Sequence, residues 1–197
     1  MKPIITVMVP GLNEAENLPD VLNPLQKWKM QDQKHRFVTV VNDGSKDETE
    51  KVARSFGVEV LDTDPIKRKN RGKGTAVIAG ALAAKAKGSD VLVMLDADIK
   101  RLEPADITDF AKALLKSDKL MLAGRTCEGE SILHPSITGQ RAIKMEALEP
   151  IIRGVPKWIT LLSICKVNSD YVLEKLIQNR GIYSKGRNQT VAFQTLP

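Results

Sequence analysis

Cysteine, histidine and aromatic residues are scarce in this 197-residue chain: there are two cysteines and two histidines, and 4% of the residues are aromatic. Cys127 and Cys165 lie too far apart in sequence to suggest a disulfide framework or a four-ligand zinc site, so a reducing, cytoplasmic setting is the expectation. No apolar run reaches the roughly 18 to 20 residues that a membrane span needs. Met1 to Pro10 lacks the basic, apolar and small-residue pattern of a signal peptide. The remaining composition, 42% hydrophobic and 27% charged, is that of one globular domain with a substantial core.

Thirty Lys and Arg against 24 Asp and Glu give a formal net charge of +6. That excess alone fits nucleic acid, an anionic membrane surface or an acidic small substrate. Much of it sits in "KRKNRGKG", residues 67–74, which holds no aromatic residue. The stacking platform of a single-strand nucleic-acid binder is missing there, and no nucleic-acid partner is expected. A solvated loop would explain such a run equally well, except that it ends in Gly72-Lys73-Gly74.

What the chain does have is alternation. Apolar, β-rich runs at 4–9, 37–41, 58–61 and 91–95 are separated by helical patterns at 15–28, 46–56 and 74–87, followed by a helix at 104–117 opened by Pro104 and a strand "KLMLAG". That order predicts an α/β fold, Rossmann-like, with a mostly parallel central sheet flanked by helices. Asp47 or Ser45 is expected to cap the second helix, with Gly57 and Gly88 ending the second and third. Beyond Gly124, "QRAIKMEALEPII" (140–152) and "DYVLEKLIQNR" (170–180) read as helices and "TVAFQT" (190–195) as a last strand. "GVPKWITLLSICKV" (154–167) reads as core or pocket wall, with an interfacial amphipathic stretch as the alternative.

Ligands of open parallel sheets bind beyond the carboxyl ends of the strands, and those ends are chemically unusual here. The first strand runs into "VPGLNEAEN", the second into "VNDGSKDE", the third toward the basic loop and the fourth into "DAD". Asn13, Glu14, Asp43, Lys73, Asp96 and Asp98 are therefore expected around one crevice. Two apart on an extended segment, Asp96 and Asp98 face the same way and can share a hard divalent cation, Mg²⁺ or Mn²⁺, that also holds a diphosphate. A helix cap or turn would use such acids as well. Asp43 could accept from a base or ribose, or make an Asx-turn; Glu14 could serve a ligand or the helix dipole. Glycines flanking Lys73 at a helix entry suit an anion, although GxxxxGK[ST] is absent.

These segments together resemble glycosyltransferase family 2 of the GT-A fold: "VPGLNEAENL" is similar to its VPxxNE start, "VVNDGSKDET" to its V-DDGS-x-D-x-T element, "NRGKGTAVIAG" to its N-x-GKG-x-A element and "VLVMLDADI" to its strand carrying DxD. "ITGQRAIKMEAL" (137–148) resembles a downstream SGQRA-type segment of polyprenyl-phosphate sugar transferases. The resemblance implies a single GT-A domain over 1–197, with a nucleotide-sugar-binding half (1–100) and an acceptor-side half (101–197). It implies a UDP-sugar or GDP-mannose donor, with Mg²⁺ or Mn²⁺ on its diphosphate. By matching motif, Pro10, Leu12 and Glu14 would line the nucleoside site, Asp43 would contact the base, Lys73 would approach nucleotide or phosphate, and Asp96 and Asp98 would serve ribose and metal, with Asn13, Gly72 and Ala97 beside them in the donor site.

The family's later x-E-D motif, whose Asp acts as base in many inverting members, has no counterpart after Asp98. Asp170 and Glu174 are the downstream acids in position to act as one, or they are plain helix-start acids. An anionic acceptor such as a lipid phosphate needs no base, and Arg125 and Arg141 could grip its phosphate or make structural ion pairs. His134 is a third metal ligand or a turn residue. The basic C-terminal segment carries no membrane helix, so membrane contact is expected to be peripheral at most. Two other classes stay open: a nucleotidyltransferase acting on a sugar phosphate, and a non-catalytic sugar-nucleotide-binding protein.

Overall fold

The computed structural model describes residues 1–64, 70–126, 140–154 and 191–193. Its elements, in chain order, are β1 (Ile5–Gly11), α1 (Leu18–Met30), β2 (Arg36–Asn42), α2 (Thr49–Ser55), β3 (Glu59–Asp62), α3 (Lys73–Ala86), β4 (Val91–Met94), α4 (Pro104–Lys116), β5 (Met121–Thr126), β6 (Arg141–Lys144), α5 (Met145–Gly154) and β7 (Val191–Phe193). The strands form one sheet of order β3-β2-β1-β4-β6-β5-β7. β1 pairs in parallel with both β2 and β4, and β2 with β3. Only β6 runs against its neighbours, β4 and β5, whereas β5 and β7 are parallel. The α/β reading and the mostly parallel sheet hold.

One helix expectation fails outright. "QRAIKMEALEPII" is not a single helix: Arg141–Lys144 form the antiparallel strand β6, and the helix starts at Met145. Its apolar spacing suits a helix, but Ala142 and Ile143 lie opposite Val93 and Leu92, and pairing with a buried strand overrides a local pattern. The cap of α2 also differs: Glu48 holds the N-cap position without a side-chain bond, while Asp47 accepts from the Thr49 N–H at 3.0 Å. Gly57 and Gly88, both at positive φ, follow α2 and α3 as expected.

Strands β1 and β4 are almost wholly buried because helices cover both faces of the sheet, which is why they read as continuous apolar runs. On one face α1 presents Leu18, Val21, Leu22, Leu25 and Trp28 at helical spacing, beside Ile107, Phe110 and Leu114 of α4. The Trp28 indole N–H donates to Thr108 Oγ1 at 3.1 Å, tying the two helices together. The opposite face is built from small residues, Ala76, Gly80, Ala81 and Ala84 of α3, over Met8 and Met94. A Cβ at Gly80 would sit 2.1 Å from Met8 Sδ, so a side chain there must displace the buried Met8 side chain. This close approach brings the start of α3 onto the end of the sheet.

Candidate functional site

Chain order reverses between β1 and β4, because β2 and β3 lie to one side of β1 and β4 to the other. The crevice expected at such a switch point is present as a cavity of about 280 Å³, lined by Pro10, Leu12, Glu14, Asp43, Gly72, Lys73, Asp96, Ala97 and Asp98, together with Gly11, Asn70 and Ala76. Loops after β1, β2, β3 and β4 all reach it.

The first two loops are laced to each other. The backbone N–H groups of Asn13, Glu14 and Ala15 donate to Ser45 Oγ, Thr49 Oγ1 and Asp47 Oδ2 at 3.0, 2.8 and 3.1 Å. In return Asn13 Oδ1 accepts from the Lys46 N–H at 2.8 Å. Asn13, held at φ 58, is thus spent on the lacing and is absent from the cavity wall, contrary to expectation. Positive φ is tolerated by asparagine better than by most residues. Burial pushes the Asp47 carboxyl up, but the hydrogen bonds it accepts from Thr49 and Ala15 outweigh this and leave it below its ordinary value. Of "NDGSKDET", Asp43 is the ligand candidate and Ser45 or Asp47 the expected helix cap; Ser45, Asp47 and Thr49 hold the neighbouring loop.

Asp43 is 4% exposed and clamps the end of the basic loop. Its Oδ1 accepts from Thr63 Oγ1 at 2.6 Å and the Arg71 N–H at 2.9 Å, and its Oδ2 from the Gly72 N–H at 2.8 Å. Gly72 stands at φ 88, a backbone state that a side chain would strain. The Arg71 guanidinium is engaged by Asp64, with Nη2 to Oδ2 at 2.6 Å, so Arg71 is an ion-pair partner and, among the described residues, Lys73 is the cation that lines the cavity. Lys73 opens α3, where the helix dipole already favours negative charge.

Asp96 and Asp98 have different surroundings. Lys73 Nζ donates to Asp96 Oδ1 at 2.8 Å, and Gln140 Nε2 to Asp96 Oδ2 at 3.2 Å. Asp98 is exposed on the cavity wall. Gln140 is 5% exposed and immediately precedes β6, whose Arg141 lies opposite Met94 at the end of β4. Its role escaped sequence reasoning, because it depends on an antiparallel pairing that the local pattern hides. Arg141 itself is fully buried. It is not among the residues that line the described cavity, and its burial suits the structural alternative to a phosphate grip. Asp170, Glu174 and His134 lie outside the described residues, as does the side chain of Arg125 and nearly all of 154–167.

A hard divalent cation suits this donor set. One accessible carboxylate, Asp98, with a second acid behind it and room beside it for phosphate oxygens, matches the way Mg²⁺ is usually held. Among the described residues no three acids, histidines or cysteines cluster, so those residues alone offer no complete cage.

A model of glycosyl transferase family 2 matches residues 6–145. The chain belongs to glycosyl transferase family 2. Within curated proteins, it is 35% identical over 103 residues to the dolichyl-phosphate beta-glucosyltransferase of Homo sapiens, covering 48% of this chain and 31% of that protein. A Trichomonas vaginalis dolichyl-phosphate beta-glucosyltransferase is 30% identical over 145 residues, covering 66% of this chain and 42% of that protein. The chain therefore spans less than half the length of these relatives. Glucosyl-3-phosphoglycerate synthase from Mycobacterium tuberculosis, solved with Mn²⁺ and UDP-glucose, superimposes with a TM-score of 0.61 at 20% identity, covering 74% of this chain and 57% of that one. That likeness is one of fold, and the fold is that of GT-A glycosyltransferases.

Proposed function

We infer that this family 2 chain is a metal-dependent glycosyltransferase that moves a sugar from a nucleoside-diphosphate sugar to a phosphate-bearing acceptor. The observation that carries this reading is that Lys73, at the start of a helix, and the accessible Asp98 both line one cavity at the switch point of the sheet. A cationic group and a carboxylate able to hold a cation, both facing room for phosphates, suit a diphosphate better than any neutral ligand. Of the two donors that the family resemblance implies, GDP-mannose and a UDP-sugar, the relatives' descriptions favour uridine, since the M. tuberculosis structures hold UDP or UDP-glucose with Mg²⁺ or Mn²⁺.

In this reading Asp98 holds the cation and Pro10, Leu12 and Glu14 line the nucleoside end, where the partly exposed Leu12 offers an apolar face to a base. Asp43 has each oxygen already engaged and acts on the base side chiefly by shaping the loop. When bound, a divalent cation offsets charge developing on the leaving diphosphate. Lys73 and the N-terminus of α3 add positive potential to the same end of the cavity. A phosphate acceptor is already anionic and would attack without a protein base, which fits residues 99–197 carrying no x-E-D motif. Dolichyl phosphate, in the relatives' names, is an acceptor of that class, and phosphoglyceric acid, in the structural neighbours', also bears a phosphate. No helix among the described residues is long and apolar enough to cross a membrane, and a cytoplasmic protein touching the membrane peripherally is the setting we propose.

A thermal-shift panel tests the donor site, because a ligand that binds only the native state raises the midpoint. UDP with Mn²⁺ is expected to raise the midpoint of the wild type, GDP, CDP and dTDP less, and Asp98→Ala is expected to lose the metal-dependent part. No shift with any nucleoside diphosphate would overturn the reading.

A further inference from the structure

The two acids of the DAD sequence are not equivalent, and the difference has a cause outside the tripeptide. Asp96 Oδ1 carries the Lys73 ammonium at 2.8 Å, while Oδ2 carries the Gln140 amide at 3.2 Å. The Lys73 and Asp96 side chains are 34% and 28% exposed, so solvent screens the pair only in part. Among the described residues Asp98 has neither kind of partner. Gln140 cannot swing away freely, being 5% exposed and joined to β6, which is registered on β4 at Met94↔Arg141.

We propose that Lys73 and Gln140 are positioning residues that withhold Asp96 from the metal, so that Asp98 captures a divalent cation only as its complex with a nucleoside diphosphate. This rests on the donor reading above and deepens it. A cation bridging Asp96 and Asp98 would have to sit beside the Lys73 ammonium, and two positive centres that close in a partly buried cavity repel strongly. Among the described residues, with Asp96 engaged, a single carboxylate is left at the site, too few ligands to hold Mg²⁺ or Mn²⁺ well without substrate oxygens. The arrangement makes occupancy of the metal position depend on the donor: the empty enzyme stays metal-free, and the cation departs with the product diphosphate. Asp96, held from both sides, keeps a fixed direction toward the cavity.

The test is Mn²⁺ binding to the full chain, read from the loss of the free-ion electron paramagnetic resonance signal, with and without UDP. Wild type is expected to bind Mn²⁺ weakly alone and at least about tenfold more tightly with UDP. Lys73→Met is expected to bind Mn²⁺ without nucleotide several-fold more tightly than wild type, because Asp96 is released to join Asp98; Gln140→Met, which frees Oδ2 but leaves the ammonium on Oδ1, is expected to show a smaller gain. Adding Asp96→Asn to either variant should abolish that gain, and Lys73→Arg should keep the weak wild-type binding. A gain of affinity is not what a merely damaged structure produces, and two variants on different elements guard against one failing to fold. The proposal is overturned if neither variant gains Mn²⁺ affinity in the absence of UDP, or if wild type already binds Mn²⁺ tightly alone. If UDP leaves wild-type Mn²⁺ binding unchanged while both variants still gain, the donor reading has failed and the restraint on Asp96 stands by itself.

Discussion

The two faces of the sheet are packed by opposite means. The α1/α4 face is filled with large side chains, Trp28, Phe110 and several leucines, all fully buried. The α3 face uses alanine and glycine against methionine. Large side chains contribute most of the apolar area removed from water, so the first face anchors the fold. Small side chains let helix and sheet approach, and that approach sets Gly72 and Lys73 against Asp43 and Asp96 at the cavity. Stability and site geometry thus depend on different surfaces.

That division can be broken from either side. Trp28→Ala removes a fully buried ring and its bond to Thr108 and should cost about 3–5 kcal/mol, measured by urea unfolding. In whatever fraction stays folded, the midpoint shift with UDP and Mn²⁺ should survive. Gly80→Val attacks the other face, where even one added carbon meets Met8 Sδ at 2.1 Å and Cγ at 2.6 Å. It should cost less, about 1–3 kcal/mol, yet weaken the nucleotide response by displacing α3. If Gly80→Val responded to UDP as wild type does, the link between small-residue packing and the site would be wrong.

Smaller effects test the loops that the packing positions. Asn13→Ala deletes the acceptor for the Lys46 N–H and places alanine at φ 58; a loss of about 1–2 kcal/mol is expected. Asn13→Gly, which relieves the backbone but not the lost bond, should recover part of it, and a nucleotide affinity unchanged in both would mark Asn13 as structural. Asp47→Asn should show the smallest effect and a defined pH dependence. The folded carboxyl lies below its ordinary value of 3.8, so its contribution is present above that pH and is lost as pH falls through the lower folded value. The midpoint difference between wild type and Asp47→Asn should therefore shrink as the pH is taken below 3.8.

Local pattern and elementary chemistry made much of this protein readable from its residues. The β/α alternation, the burial of the first, second and fourth strands and the convergence of Glu14, Asp43, Lys73, Asp96 and Asp98 follow from periodicity and from the rule that parallel sheets bind at their carboxyl ends. Those signals are short-range or topological, and a single sequence carries them. Other features belong to the tertiary structure. Whether "QRAIK" became helix or strand was decided by an edge of β4 that needed pairing, more than forty residues earlier in the chain. That pairing buried Arg141 and delivered Gln140 to Asp96. Asn13 likewise left the cavity because Ser45 and Lys46, on another loop, offered it partners. Backbone hydrogen bonds and registers between distant segments leave no periodicity to read, and they assigned the final partners of residues whose chemistry the sequence had already made plain.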